Sequence, residues 1–332
     1  MSVETCHKSS SLCLDTSVSL FDVPSTQISY DNVTEIEIFP SATIIQDNDI
    51  TFMINSLNSQ SYLDLNSAYF LFNLQIKRSD GMDAVTKDGE TTKSDEVTVS
   101  NGFGSTFIKH ITVQANDVTL SKYDSFFMRN YMDCLLHSND DHSHQLETCQ
   151  FYYKNECVGN DHTNESWSKR FERTKESKKF SLIVPFNTEL ASSGKLTLPG
   201  VNLKITISLS QPGFHLVASP NEKNSHRVVI NDVKMIIKKW IVSPSVAVSH
   251  ENLLREKNAT VVFRNFRSID RVIPAGVKHI SFDNLFSRIA PYNIYCLIQD
   301  SSTFLGKVNN DPTVFKRNGL SSMILNYEEE RI

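Results

Sequence analysis

The stretch Arg227–Phe263, which reads RVVINDVKMIIKKWIVSPSVAVSHENLLREKNATVVF, indicates how the whole chain is organised. Apolar and polar side chains alternate between residues 228 and 242. One face of this run carries Val233, Met235, Ile237 and Ile241, and the opposite face carries Lys234, Lys238 and Trp240. Alternation with a period of two, in a run rich in β-branched residues, predicts a half-buried strand.

A short helix is predicted directly after this strand. Ser243 precedes Pro244, a pair typical of a helix N-terminus. The apolar residues that follow recur at helical spacing, and they are Val246, Ala247, Leu253 and Leu254. Strand character returns at Thr260–Phe263. We therefore expect a joint between two β-rich units: the last strand of one, a bridging helix over 243–258, and the first strand of the next.

Composition and charge place the chain among soluble globular proteins. It has 332 residues, of which 39% are hydrophobic and 21% charged, enough for one large or two ordinary domains. The net charge is −5, and residues 1–31 hold Lys8 against four acidic side chains. Because nucleic acid is attracted by uncompensated positive charge, we expect no nucleic-acid-binding arm and no sequence-specific nucleic-acid partner.

Targeting signals are not evident in the sequence. The N-terminus is polar, and no run approaches the ~18 consecutive apolar residues of a membrane span. Six cysteines without a secretory leader favour reduced thiols. The sequons at Asn32, Asn164 and Asn258 are then chance matches. We expect a protein made inside the cell, in the cytoplasm or nucleus, without a membrane span.

Most of the remaining chain is predicted to form short strands. The clearest is Ser67–Lys77, where alternate residues from Ala68 to Ile76 are apolar and include Phe70 and Phe72. Further strands are predicted at Thr34–Phe39, Ile50–Ile54, Phe180–Phe186, Lys195–Leu198, Val201–Leu209, Val261–Ile273, Lys278–Phe282, Asn293–Ile298 and Ser321–Leu325. A hairpin is predicted over Phe107–Leu120 with its bend at 115–117.

Helices are predicted to be few. Phe127, Tyr131, Cys134 and Leu135 share one face of a helix. Ser79–Thr98 is predicted to be a long loop, and 138–179 a polar insertion. Many short strands with turns between them predict an all-β fold, a sandwich or barrel, in two tandem units. The units are 32–242 and 259–332, preceded by a flexible arm over 1–31.

A group of cysteines and histidines is the nearest approach to a metal motif: Cys134, His137, His142, His144, Cys149, Cys157 and His162. Such ligands could hold zinc, but paired motifs at finger, ribbon or catalytic spacing are missing from the sequence. Cys134 lies on the apolar face of a predicted helix, where a free thiol acts as a small hydrophobe. We therefore expect a buried thiol and solvated histidines rather than a zinc site.

Other candidate sites have equally simple explanations. Asp80–Glu90 lacks the ligand spacing of an EF-hand, and Asp140 with Asp141 lies in a polar loop. The run Lys169–Lys179 mixes Glu172 and Glu176 with its basic residues, which favours a solvated segment. Lys238, Lys239 and Trp240 fit solvent-facing lysines and a tryptophan at a domain seam better than a single-strand-binding surface. No catalytic, cofactor-binding or metal residue is predicted, and we expect no enzyme.

Several stretches resemble the major capsid protein of Polinton (Maverick) elements, which are virus-like DNA transposons. The best-matching run is Trp240–His250, inside the predicted joint. The other stretches are Phe21–Gln27, Tyr62–Asn66, Arg129–Leu136, Gly200–Ile205, Ile273–Gly276, Phe282–Phe286 and Asp300–Phe315. They cover about Leu20 to Tyr327, with little likeness over 138–179. Their number and order along the chain carry the resemblance.

The resemblance implies two tandem eight-stranded jelly-rolls, a double jelly-roll. It also implies a structural role: three copies close into a pseudo-hexagonal capsomer, and capsomers tile an icosahedral shell. The partners implied are further copies of the chain, first in a homotrimer and then in neighbouring capsomers, and a penton or minor capsid protein. The location implied is the virion. No cofactor is implied.

The second unit departs from this pattern. A jelly-roll needs eight strands, and residues 259–332 supply about half of them. A half-sandwich would expose strand edges and an apolar face. We therefore expect an incomplete second jelly-roll, either because the chain is a fragment or a degraded genomic relic, or because a partner supplies the missing sheet.

Two other functions remain open from the sequence. A jelly-roll binding module, such as a lectin, would present exposed aromatic rings beside loop amides; the chain has two tryptophans, Trp167 and Trp240. A glycoside hydrolase on a β-sandwich would place two carboxylates about 5 to 10 Å apart in one cleft.

Overall fold

The computed structural model describes fourteen ranges and single positions of the chain: 28–45, 48–55, 58–85, 95–123, 126–137, 142–153, 164–220, 222, 224–263, 266–283, 285–286, 291–308, 310–315 and 317–324. The predicted arm over 1–31 falls almost wholly outside these residues. So do Asp140 and Asp141, Cys157 and His162 from the candidate sites.

Strands dominate the first 242 residues. In chain order they are β1 Tyr30–Ile38, β2 Ile50–Ile54, β3 Ser61–Arg78, β4 Val97–Val99, β5 Ile108–Ala115, β6 Val118–Tyr123, β7 Phe180–Pro185, β8 Leu203–Leu209, β9 Leu216–Ala218 and β10 His226–Val242. The helices are α1 Phe103–Thr106, α2 Phe126–His137, α3 Ser143–Gln150, α4 Glu165–Thr174, α5 Pro212–His215, α6 Pro244–Glu256 and α7 Ser301–Phe304.

Two four-stranded antiparallel sheets face each other. One has the order β1-β10-β3-β7, and the other has the order β2-β8-β5-β6. Setting aside the short pair β4 and β9, the eight strands pair first with last, second with seventh, third with sixth, and fourth with fifth. This is a long antiparallel hairpin folded over on itself, the topology of a jelly-roll sandwich.

The core lies between the two sheets and is built by the alternation that the sequence shows. Phe52 of β2 and Phe70 of β3 are fully buried, and their ring centroids are 5.4 Å apart across the sandwich. Val233, Met235 and Ile237 of β10 are also fully buried. Burial of each such side chain contributes roughly 1.5–3 kcal/mol. The predicted inward face of β3 is therefore confirmed, and so is that of β10 up to Ile237. Beyond the irregularity between Ile236 and Lys238, the predicted Ile241 is only half-buried and Val242 is buried instead.

Most other predicted elements of this unit are confirmed with adjusted bounds. The hairpin β5–β6 bends at Asn116 and Asp117, whose φ angles of 45° and 66° suit a tight hairpin turn. The predicted strand at Lys195–Leu198 is wrong: it shrinks to one bridge between Thr197 and Leu63. The predicted loop 79–98 ends in β4, a short strand that pairs with β9 and was not predicted.

The helices show two departures from the sequence patterns. In α2, Phe126 and Tyr131 are buried but Leu135 is 41% exposed, so the buried face is rotated from the predicted one. The polar insertion over 138–179 contains α3 and α4. Among the described residues, no helix is both long and apolar enough to cross a membrane.

The chain after α6 contains no strand among its described residues. The strands predicted at Val261–Ile273, Lys278–Phe282, Asn293–Ile298 and Ser321–Leu325 are wrong wherever those residues are described. The physical reason is pairing: a strand is held by hydrogen bonds to a neighbouring strand, and alternation alone supplies none. The short helix α7 is the regular element of this segment.

Candidate functional site

The strand and the helix of the predicted joint form, with one difference at the cap, whereas the strand predicted after the helix does not form among the described residues. Strand β10 ends at Val242 and α6 begins at Pro244. Ser243 makes no side-chain cap; its hydroxyl lies 3.2 Å from that of Ser245. Its backbone carbonyl accepts from the N–H groups of Val246 and Ala247 at 3.0 and 3.1 Å, which starts the helix.

A small apolar cluster fixes α6 against the sandwich. Tyr62, Val242 and Ala247 are buried in it, and Trp240 packs at its margin. The Tyr62 hydroxyl lies 2.8 Å from Nδ1 of His250, so one hydrogen bond joins β3 to α6. Burial raises the pKa of Tyr62. The rings of Trp240 and Tyr30 pack edge-on with their centroids 4.5 Å apart. This packing fits the prediction of a tryptophan at a domain seam.

The burial of Arg170, on α4, is the structural feature that the sequence predicted least well. Arg170 lies in the mixed-charge run predicted to be solvated, yet its side chain is fully buried. Its Nε donates to the carbonyl of Val99 at 3.0 Å, and Nη1 to the hydroxyl of Ser166 at 3.3 Å. The signal was present: Trp167, Arg170 and Thr174 share one helix face, and all three are buried.

The partner of this arginine comes from the far end of the chain. Nη2 of Arg170 lies 3.9 Å from Oδ2 of Asp311, and the Asp311 side chain is 1% exposed. Oδ1 of Asp311 accepts from the N–H and hydroxyl of Thr313 at 2.9 and 2.5 Å. The N–H of Asn101 donates to Oδ2 at 3.3 Å. A buried charge persists only where such partners surround it.

The described residues of 306–315, which we name the C-terminal clasp, lie against the sandwich along this line. The N–H of Ala218 donates to the carbonyl of Val308 at 2.8 Å. Gly213 and Gly306 touch through their backbones, since a Cβ on Gly213 would lie 2.2 Å from the Gly306 oxygen. Burial raises the pKa of Tyr131, whose hydroxyl donates to the carbonyl of Thr313 at 3.4 Å. The clasp is thus part of the folded unit.

Between α6 and the clasp, apolar side chains face solvent. On α6 itself Leu253 and Leu254 are nearly half exposed. The exposed large apolar residues of the following segment are Val261, Val262, Phe263, Val272, Ile273, Val277, Ile280, Tyr292, Ile294, Tyr295, Phe304 and Leu305. The sandwich also ends in four edge strands, β1 and β7 in one sheet and β2 and β6 in the other. Exposed apolar runs and open edges are surfaces that other chains can cover.

The cysteine and histidine residues considered for zinc are not brought together where they are described. Burial raises the pKa of the Cys134 thiol to about 11, which agrees with a small hydrophobe on α2. His142 and His144 are exposed at the start of α3. Among the described residues, the group able to surround a metal ion is a different one, Asp95, Glu222 and His226, whose ligand atoms lie within 4.8 Å of one another.

The remaining candidates behave as structural groups. In the run Lys169–Lys179, Lys169 pairs with Glu165 at 2.9 Å and Lys175 with Glu172 at 2.7 Å, so these charges are compensated. On β10, Lys238 lies opposite Glu35 in the register. A cavity of about 170 Å³ lies beside β7, and its walls are Asn66, Pro185, Phe186, Asn187, Ala191 and Ser192. Neither tryptophan reaches it.

The fold so described is a jelly-roll unit, defined by its strand pairing, with a C-terminal segment fastened to it. Neither a protein-family model nor a curated protein sequence matches the chain.

Among solved structures the chain is similar to the Faustovirus major capsid protein, with 9% identity over 72% of this chain and 59% of that one, and a TM-score of 0.49. It is also similar to a chain of the Sputnik virophage, with 12% identity over 71% and 53% of the two chains and a TM-score of 0.44. A third likeness is to the mavirus major capsid protein, with 11% identity over 73% and 54%, and a TM-score of 0.39. The chain thus spans a little over half the length of these proteins.

Proposed function

We propose that the chain is a structural capsid subunit of the Polinton (Maverick) type. In this proposal it self-associates as a homotrimer, and the trimers act as pseudo-hexagonal capsomers of an icosahedral shell. It has no catalytic role, and its place is the virion. A penton or minor capsid protein is a further partner.

The observation that carries this proposal is that stretches with capsid-like sequence, far apart in the chain, meet in space. Tyr62–Asn66 and Trp240–His250 come together at the joint, where Tyr62 hydrogen-bonds His250. Arg129–Leu136 and Asp300–Phe315 come together at the clasp, where the rings of Tyr131 and Phe315 lie 6.0 Å apart. An architecture shared with such capsid proteins would bring these stretches together in this way.

The fold and its surfaces agree with this role. Jelly-roll sandwiches occur in viral capsids, in lectins and in cupins. A ring of three copies needs two different surfaces on each copy that fit each other. The four edge strands and the exposed apolar residues after α6 offer surfaces of that kind.

We also propose that residues 259–332 are the beginning of a second jelly-roll, joined to the first by the bridging segment 243–258, which contains α6. The apolar residues of this segment suit strands that have no partner strands among the described residues. In a longer chain, or with a partner that supplies the missing sheet, the exposed side chains around Val262 and Ile273 would face a core. In a degraded genomic copy, neither a longer chain nor a partner would supply the missing strands.

The two alternatives receive less support. Trp167 is buried against Phe171, with stacked rings 4.9 Å apart, and Trp240 packs on Tyr30, so neither ring offers the open face that a lectin uses. Asp95 and Glu222 are two carboxylates in one group, but hydrogen bonds lower the pKa of Asp95. A glycosidase holds its two carboxylates in a cleft open to the sugar, whereas the Asp95 side chain is 1% exposed and lies 2.6 Å from Nη2 of Arg78.

Electron microscopy of the purified chain tests the proposal. Particles with threefold symmetry, or closed shells, are expected. Irregular aggregate would indicate a relic with an uncovered apolar segment. Dispersed single chains, together with several specific hits on a glycan array, would replace the capsid role with a lectin role.

A further inference from the structure

We propose that Asp95, Glu222 and His226 form a binding site for one zinc-like divalent cation at the end of the sandwich, beside β4 and β9. The site joins two connections that are distant in the sequence. Asp95 precedes β4, Glu222 lies between β9 and β10, and His226 is the first residue of β10. This inference does not depend on the capsid role.

The imidazole of His226 is the observation that points to a ligand. Its side chain is 1% exposed, and its Nε2 makes no hydrogen bond within the described part of the chain. Nε2 faces Oδ1 of Asp95 at 3.7 Å, which is too long for a hydrogen bond. Two ligands of a tetrahedral zinc ion, with bonds of about 2.0–2.2 Å, lie about 3.4 Å apart. The gap between these atoms therefore suits a bridging cation.

The other oxygen of Asp95 is already held by the protein. Oδ2 accepts from Nε of Arg78 at 2.7 Å and from the N–H of Val85 at 2.9 Å. A metal-binding carboxylate is commonly fixed by such donors on its second oxygen. Oδ1 accepts a hydrogen bond from the side-chain amide of Asn224 at 2.8 Å, and it also faces Nε2 of His226.

Glu222 is positioned by backbone groups on both sides. Its Oε2 accepts from the N–H of Glu96 and its Oε1 from the N–H of Asn224, at 2.9 and 2.8 Å. Each oxygen keeps a lone pair for a cation. Burial alone would raise the pKa of Asp95, but the hydrogen bonds from Val85, Asn224 and Arg78 outweigh it and lower that pKa. Asp95 is thus an anion at neutral pH.

The donor set selects the class of cation. One imidazole nitrogen with two carboxylate oxygens suits zinc and neighbouring transition metals, whereas calcium and magnesium prefer oxygen ligands alone. The charges of Asp95, Glu222 and Arg78 sum to −1, so a divalent cation is attracted. A bound ion would fasten the β9–β10 connection to the residues that directly precede β4.

Zinc titration of the full chain, freed of metal with a chelator, tests the site. We expect one zinc ion per chain and a rise of roughly 5 °C in the unfolding temperature at saturating zinc. The same concentration of calcium should give no rise. A larger rise with calcium than with zinc would overturn the assignment, and so would the absence of zinc binding.

Three variants locate the binding. Glu222→Gln and His226→Gln should each lower zinc affinity at least tenfold, whereas the exposed His144→Gln should leave it unchanged. Glu222 is half-buried, so its variant is expected to fold even if the His226 variant does not. Cobalt provides a second readout, because a thiolate ligand adds a charge-transfer band in the near ultraviolet. Wild-type zinc affinity in both site variants would mean that the cation binds elsewhere. A thiolate charge-transfer band would place the cation at the cysteines.

Discussion

Strand β10 and the run from Thr260 to Ile273 have similar sequences but different structures. Both are rich in valine and isoleucine. In β10, Val233 and Ile237 are fully buried between neighbours β1 and β3, while Val262 in the second run is 80% exposed. The two differ in what lies beside them. Backbone N–H and C=O groups need partners, and the sandwich supplies neighbouring strands to β10. A run rich in β-branched residues is thus able to be a strand, and pairing decides whether it becomes one.

Amide hydrogen exchange should give the largest contrast between the two regions. Amides in the paired centre of β10 and β3 are expected to exchange at the rate set by global unfolding, and those of the described residues in 257–298 at close to the free-peptide rate. The difference should reach several orders of magnitude and can be read by mass spectrometry of peptides. Strong protection of 266–283 would break the comparison, since it would require strand partners.

The clasp differs from the rest of the C-terminal region because it is packed against the sandwich. The variant Asp311→Ala tests how much stability this packing contributes. The substitution leaves Arg170 charged and buried without its carboxylate, and the free energy of unfolding should fall by about 3–5 kcal/mol. Urea denaturation measures this loss. Lys169→Ala, on the exposed side of the same helix, is the matched control and should change little.

A double variant separates the ion pair from simple packing. Arg170→Met combined with Asp311→Leu should lose less stability than Asp311→Ala alone, because no unpaired charge remains. If Asp311→Ala behaved like the Lys169 control, the clasp would not be fastened in solution.

A pair of isoleucines compares the two runs directly. Ile237→Ala should lower the free energy of unfolding by about 2–5 kcal/mol, because it removes a fully buried side chain and leaves a cavity. Ile273→Ala should change it by less than about 0.5 kcal/mol, since that side chain is about half exposed. Thermal and urea unfolding of both variants would measure the difference. Equal losses would mean that Ile273 is buried in solution.

Acid should destabilise the sandwich in part through His215. Burial lowers the pKa of this imidazole to about 3, although a hydrogen bond with Ser210 opposes the shift. The unfolded chain takes up this proton near pH 6.5 and the folded chain only near pH 3. Stability from this group is therefore complete above pH 6.5 and declines as the pH falls, by about 1.4 kcal/mol per pH unit.

The variant His215→Asn isolates this effect, because its amide can still donate to Ser210. Unfolding free energies of both proteins between pH 7 and pH 4 should converge as the pH falls. Parallel curves would show that His215 titrates normally or that other groups dominate.

How much of the structure can be predicted from the sequence depends on the range of the interactions involved. The inward faces of β3 and of most of β10, the hairpin turn at Asn116 and the helix after Pro244 depend on nearby residues, and all were predicted. The burial of Arg170 depends on Asp311. Which face of α2 is buried depends on the side chains that cover Phe126. The Asp95, Glu222 and His226 group depends on two connections meeting. Such features arise from long-range packing, which one sequence does not display.

Light scattering after size-exclusion chromatography tests the central claim most directly, because a capsid subunit must associate with its own copies. The chain has a mass of 37.6 kDa. The capsid account predicts a discrete species of three chains, about 113 kDa, or larger shell-like particles. A soluble, monodisperse monomer at every concentration would contradict it.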